Sequence, residues 1–182
     1  MNDRDDFAWD LYIELRKEIV ASQGVRAQII GFKITFVTAT AGLIVAFKPS
    51  DGSSPNLSLL VIPAVAAVFF DFLIVSYSIG IKRLGHYCRH YLEPIVKGHA
   101  RWPEGEHLWE AFMALPAVRQ RFAYLGVIGL TSLAVVAACI GLFVTVAARY
   151  ATPMVLALVV LFSFDAYAYV RQPARFSGEK IS

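Results

Sequence analysis

Four apolar runs, each long enough to cross a hydrocarbon layer, constrain this chain more than anything else in it. A layer of about 30 Å needs roughly 20 apolar residues in helical form. The runs are Ala27 to Phe47, Leu57 to Ile81, Phe122 to Ala148 and Thr152 to Val170. Any one of them, alone, would fit a buried helix of a soluble domain. Four in 182 residues leave too little polar chain to cover them. Hydrophobic residues make up 57% and charged residues 17%, against about 45–50% and 25% in soluble domains. That excess excludes a disordered chain, a collagenous chain and a disulfide scaffold. The expected fold class is all-α: an integral membrane four-helix bundle of two transmembrane hairpins, with cytoplasmic amphipathic helices.

Lysine and arginine placement gives the expected orientation, because cytoplasmic loops carry the excess of both. The N-terminal segment holds Arg4, Arg16, Lys17 and Arg26. The central segment holds Lys82, Arg83, Arg89, Lys97, Arg101, Arg119 and Arg121, and the tail holds Arg171, Arg175 and Lys180. The two short connections hold only Lys48 and Arg149. Both termini and the central segment are therefore expected in the cytoplasm. The division is 1–26 cytoplasmic helix, 27–81 first hairpin, 82–121 cytoplasmic linker, 122–170 second hairpin and 171–182 tail. Lys48 to Asn56 (KPSDGSSPN) has turn composition. Arg149 to Ala151 is expected to close the second hairpin, with Pro153 at the start of the last helix. The first ten residues, MNDRDDFAWD, are acidic and do not read as a secretory signal.

Residues Asp5 to Gln23 read as an amphipathic helix, with Phe7, Leu11, Leu15 and Ile19 along one face and Trp9, Tyr12 and Ile13 widening it. Such a helix lies on the bilayer or on its neighbours, or takes a partner through Trp9. In the linker, the second span is expected to continue as helix through Val96. Gly98, Pro103 and Gly105 break it, and a second amphipathic helix follows from about Glu106 to Arg121, with Trp109 as its counterpart of Trp9. His86 and His90 share a helical face at i, i+4, but no carboxylate completes a zinc hydrolase pattern, and no metal or cofactor is expected. Lys82, Arg83, Arg89, Arg119 and Arg121 are candidates for contact with an anion or with anionic lipid. The net charge of +3 is too small to point to nucleic acid.

Three ionisable residues interrupt the spans: Lys33, Asp71 and Asp165. At ~1.5 Å per residue they lie roughly 9, 14 and 8 Å from the cytoplasmic boundary. A charge at such depth costs about 2.5–3.5 kcal/mol on insertion scales, so these residues are expected to face the bundle and to find partners. Lys33 with Asp165 is the closest match in depth, and Lys33 with Asp71 is within range. One reading is a structural staple; the other adds Ser76, Tyr77, Ser163 and Tyr167 to form a polar path for protons or cations. Asp71, the deepest, is the first choice for a functional residue. The halves also resemble one another: WDLYIEL at Trp9–Leu15 and WEAFMAL at Trp109–Leu115, FFD at Phe69–Asp71 and SFD at Ser163–Asp165. A duplication would make Asp71 and Asp165 equivalent. Thr38 with Gly42, Ala134 with Ala138, and Ala137 with Gly141 have the spacing of close helix contacts.

Cys88 and Cys139 lie at different depths and are expected to stay reduced. No phosphate loop, nucleophile elbow or CxxC pair is present, so an enzyme is not expected. The stretch ELRKEIVASQGVRAQIIGFKIT (Glu14–Thr35), a charged helix running into a first span, resembles that of small multi-pass membrane effector proteins of bacterial anti-phage defence systems. The resemblance covers about the first third of the chain and carries no site residues. It implies a protein of the bacterial inner membrane that senses infection or permeabilises that membrane beside a cytosolic partner. The leading expectation is thus an oligomeric pore-forming or membrane-sensing effector; a small proton- or cation-coupled transporter and a passive membrane anchor are the alternatives. Four helices enclose too little space for a wide pore, so a conducting path is expected to need a homo-oligomer.

Overall fold

The computed structural model describes residues 3–47, 55–97 and 121–171. Among these residues every regular element is helical, and four helices are long and apolar enough to cross a membrane. Helix α1, Asp3–Ala46, is one rod of 44 residues. It has no proline to remove a backbone donor, so it runs unbroken past residue 26. After the first turn, a 3-10 segment Leu57–Leu60 is capped by Asn56, whose side-chain oxygen accepts from the amide of Ser58. It leads directly into α2, Val61–Tyr87. The chain stays helical through Val96, as expected, but not uniformly. A wider π turn at Cys88–Leu92 precedes the short α3, Glu93–Val96. Pro94 explains the widening: its ring would collide with the carbonyl of His90 in a regular helix, and a π turn opens that spacing.

The second pair is α4, Arg121–Thr145, and α5, Ala148–Arg171. Their turn is at Val146 and Ala147, earlier than the Arg149–Ala151 connection expected from sequence. Arg149 is already inside α5, its guanidinium 4.5 Å from the ring centre of Tyr150. Pro153 consequently lies inside the helix rather than at its start. The reason is local hydrogen bonding: the amides of Tyr150 and Ala151 both reach the carbonyl of Ala147, at 2.9 and 3.1 Å. The first turn of α5 therefore forms ahead of the proline.

Packing is centred on α2, which lies against α1, α4 and α5. Of its most apolar window 44% is buried, against 11% for α1 and 17% for α5. Two apolar clusters hold the helices together, one across both hairpins and one between α1 and the α2–α3 extension. At the turn end, Leu60 and Ala64 meet Val135, Ala138 and Leu142 of α4 and Ala151 and Leu158 of α5. At the basal end, where α1 begins, Ala8, Tyr12 and Ile19 meet Cys88, Leu92 and Val96. Of the apolar face expected from sequence, Leu11, Leu15 and Ile19 with Trp9, Tyr12 and Ile13 belong to this cluster, and only Phe7 does not. Phe7 is 70% exposed and Ala8 is buried, because the α2–α3 extension contacts the Ala8–Tyr12–Ile19 line. Cys88 and Cys139 form no disulfide.

The small-residue spacing has unequal outcomes. Ala138 is fully buried. A Cβ built on Gly141 would collide with the carbonyl oxygen of Leu57, so glycine is what lets α4 approach the 3-10 segment. Thr38 and Gly42, by contrast, are exposed. Outward faces are apolar along all four long helices: Phe32, Leu43, Phe69, Leu133, Val144 and Phe164 are each more than half exposed. Soluble monomers rarely show contiguous apolar surface on this scale.

Candidate functional site: a buried ionic centre

Between the two apolar clusters the four long helices each send a polar group to one place. Lys33 comes from α1, Asp71 from α2, Thr131 from α4 and Asp165 from α5, and all four side chains are fully buried. The Lys33 ammonium donates to Asp71 Oδ1 at 2.6 Å, to Thr131 Oγ1 at 2.5 Å and to the Val127 carbonyl at 2.8 Å. An ammonium has three N–H donors, and all three are engaged. The Thr131 hydroxyl in turn donates to Asp71 Oδ2. Each Asp71 oxygen therefore receives a donor. A buried ion pair repays its desolvation only when such extra hydrogen bonds complete it.

Asp165 is held differently. Neither of its oxygens accepts a hydrogen bond from a donor. Its charged neighbours are the Asp71 carboxylate and the Lys33 ammonium. With all three groups ionised the centre carries one net negative charge.

Of the two partners that depth allowed for Lys33, Asp165 was the closer match, and the ion pair forms with the other, Asp71. Helix register explains the choice. Arg26 donates to Ser78 Oγ at 3.5 Å, and Lys33 to Asp71, so both contacts are seven residues apart on each helix. The hydropathy boundary at Ile81 set the end of the second span too late relative to Arg26. Depths counted from it misaligned α1 and α2 by about one turn.

The other residues of the expected polar path lie on the outside of the single chain. Tyr77 and Tyr167 are 38% and 54% exposed, Ser76 and Ser163 are also exposed, and Ser163 donates to the Val159 carbonyl. These residues point outward because the buried stripe of α2 runs through Asp71, Ile74, Val75 and Ser78. The residues that sequence reading missed are Thr131, the Val127 carbonyl and Ser78, which donates to the Ile74 carbonyl at 2.7 Å. A signal for Thr131 existed. It continues the helical stripe of Val135, Ala138 and Leu142, all buried, and a hydroxyl on such a stripe faces the bundle.

The other candidates do not join this centre. Arg83 and Arg89 are exposed and Lys82 is half-buried; Lys33 is the single buried cation among the described residues. Arg121 opens α4. Arg119, Trp109 and the expected helix from Glu106 lie outside the described residues. Trp9 is half-buried, its ring 6.2 Å from that of Tyr12. The His86 and His90 rings are 4.3 Å apart. Among the described residues no group of three or more His, Cys, Asp or Glu side chains is placed to hold a metal. What the arrangement offers chemically is a compact acid–base and ion-pair centre shielded from water. Comparison with protein-family models, with curated proteins and with solved structures gives no match for this chain.

Proposed function

We propose that this chain is a four-span protein of a bacterial inner membrane, with both termini in the cytoplasm, and that its ionic centre couples the bundle to the passage of protons or cations. One observation carries the reading: a lysine and two aspartates, drawn from three different helices, meet in a fully buried centre. Intramembrane ionisable residues are costly and mark ion and proton pathways. Exposed apolar faces on all four long helices support lipid as their solvent, and the lysine and arginine bias supports the orientation. On the turn side of the centre an apolar cluster joins α2, α4 and α5, so movement through that end requires it to rearrange.

Reconstitution in liposomes tests this directly. Replacing Asp71 or Asp165 by Asn abolishes proton or cation flux while the protein still inserts; undiminished flux sinks the reading.

A second reading, an oligomeric effector controlled by a cytosolic partner, is favoured by the continuity of α1. Trp9 and Lys33 are 24 residues apart on one unbroken helix, or ~36 Å. A partner bound near Trp9 would act on the ionic centre through a rod. The resemblance of Glu14–Thr35 to anti-phage effectors points the same way. Collapse of membrane potential in cells that make the protein together with its genomic neighbours, prevented by Trp9→Ala, supports this reading. An unchanged potential removes it.

A further inference from the structure

We infer that Asp165 and Asp71 hold a single proton between them, making the Lys33–Asp71–Asp165 centre electrically neutral, and that the proton is the species this site exchanges. The inference rests on the coupling reading above and names its ion.

Donor accounting leads to it. The three N–H groups of Lys33 are committed to Asp71, Thr131 and the Val127 carbonyl, and the Thr131 hydroxyl is committed to Asp71. None remains for Asp165, whose two buried oxygens accept nothing. The groups facing Asp165 are Asp71 from α2 and Lys33 from α1, and α4 adds Thr131 to the same centre. Two carboxylates repel and cannot bond to each other. Add one proton and the O–H of Asp165 donates to Asp71, and the centre's charge goes from one negative to zero. Paired carboxyls in other proteins share a proton for the same electrostatic reason. Leaving the charge uncompensated in the interior costs several kcal/mol.

A metal cation fits less well. Hard cations take six or more oxygen ligands. The oxygens of Asp71, Thr131 and Val127 already accept from the ammonium or, for Asp71 Oδ2, from the Thr131 hydroxyl, which leaves Asp165 alone to bind. A proton needs only the two facing carboxyl oxygens.

Infrared spectroscopy of the full chain in nanodiscs at neutral pH tests the assignment. With carboxyl-labelled ¹³C-aspartate, the wild type should show a protonated carboxylic acid C=O stretch that moves with the label and on exchange into D2O. Replacing sodium by choline should leave it in place, and Asp165→Asn should remove it. As a second measurement, Asp165→Asn should unfold at the wild-type midpoint, because its amide donates to Asp71 as the acid did. Absence of a labelled band overturns the inference, as does a band that appears only in choline or survives both Asp165→Asn and Asp71→Asn. The band without liposome flux supports the shared proton and removes the transport reading.

Discussion

The two helical pairs each contribute one aspartate to the same buried point, yet the two carboxylates live under opposite conditions. In the first pair Asp71 receives the Lys33 ammonium and the Thr131 hydroxyl. In the second pair Asp165 receives no donor. Sequence likeness between the halves would make the two equivalent. They differ because α1 supplies a lysine at this level and α4 supplies a threonine, and both are spent on α2. Residue type and depth are therefore poor guides to the state of a buried acid. The count of donors that reach it is a better one.

Lys33 is where this contrast breaks most severely. Lys33→Met leaves Asp71 and Asp165 facing each other without a cation, and a buried pair broken on one side loses about 3–5 kcal/mol. Denaturant unfolding in detergent should show that loss, and Lys33→Met with Asp71→Asn should recover part of it. If the double variant is no more stable than the single, the ion pair is not what holds the site.

Geometry at the turn end gives the next largest effect. Gly141→Ala pushes a Cβ into the Leu57 carbonyl, and backbone cannot yield as a flexible side chain can. Overpacking of this kind costs about 1–3 kcal/mol, read as a lowered unfolding midpoint. The same change at Gly42, where nothing lies within 4 Å, should leave the midpoint in place.

Thr131→Val removes one acceptor from Lys33 and one donor from Asp71, with little change of shape. Hydrogen bonds between helices in a bilayer average about 0.6 kcal/mol and reach about 1.7, and the loss here should fall toward the upper value. Thr131→Ser should restore it, which separates the hydroxyl from packing. Smallest of all are the outward polar groups: Tyr77→Phe and Ser163→Ala should change stability by less than about 0.5 kcal/mol and leave flux unaltered. A large loss at either would return the polar path to the outer faces.

Much of the architecture could be read from residues alone. The four helices fall on the four apolar runs, and the second run continues as helix through Val96. What slipped was punctuation: the second turn is two residues, and Pro153 lies past the start of α5. Proline tolerates several positions near a helix start, so its presence bounds the helix loosely. The ionic centre was half legible. Lys33, Asp71 and Asp165 stand out because charge is rare in apolar runs. Thr131 did not, since hydroxyls are common in such helices and most bond to their own backbone, as Thr38, Thr40 and Ser132 do here. Ser76 and Tyr77 show the converse: they are polar and near Asp71 in sequence, but at about 100° per residue they stand roughly 140° and 120° around the helix from it and face outward.

By itself the sequence determined that the chain is helical, that four of its segments suit an apolar solvent, and which three charges must be accommodated inside. Those properties follow from local composition and from the cost of exposing a backbone or a charge to hydrocarbon. Only the tertiary structure decided which acid takes the lysine, that a threonine completes the pair, and that the second acid is left facing the first. Such choices depend on the register of long helices against one another. A shift of a single turn, about 5.4 Å, exchanges one partner for another without altering any helix.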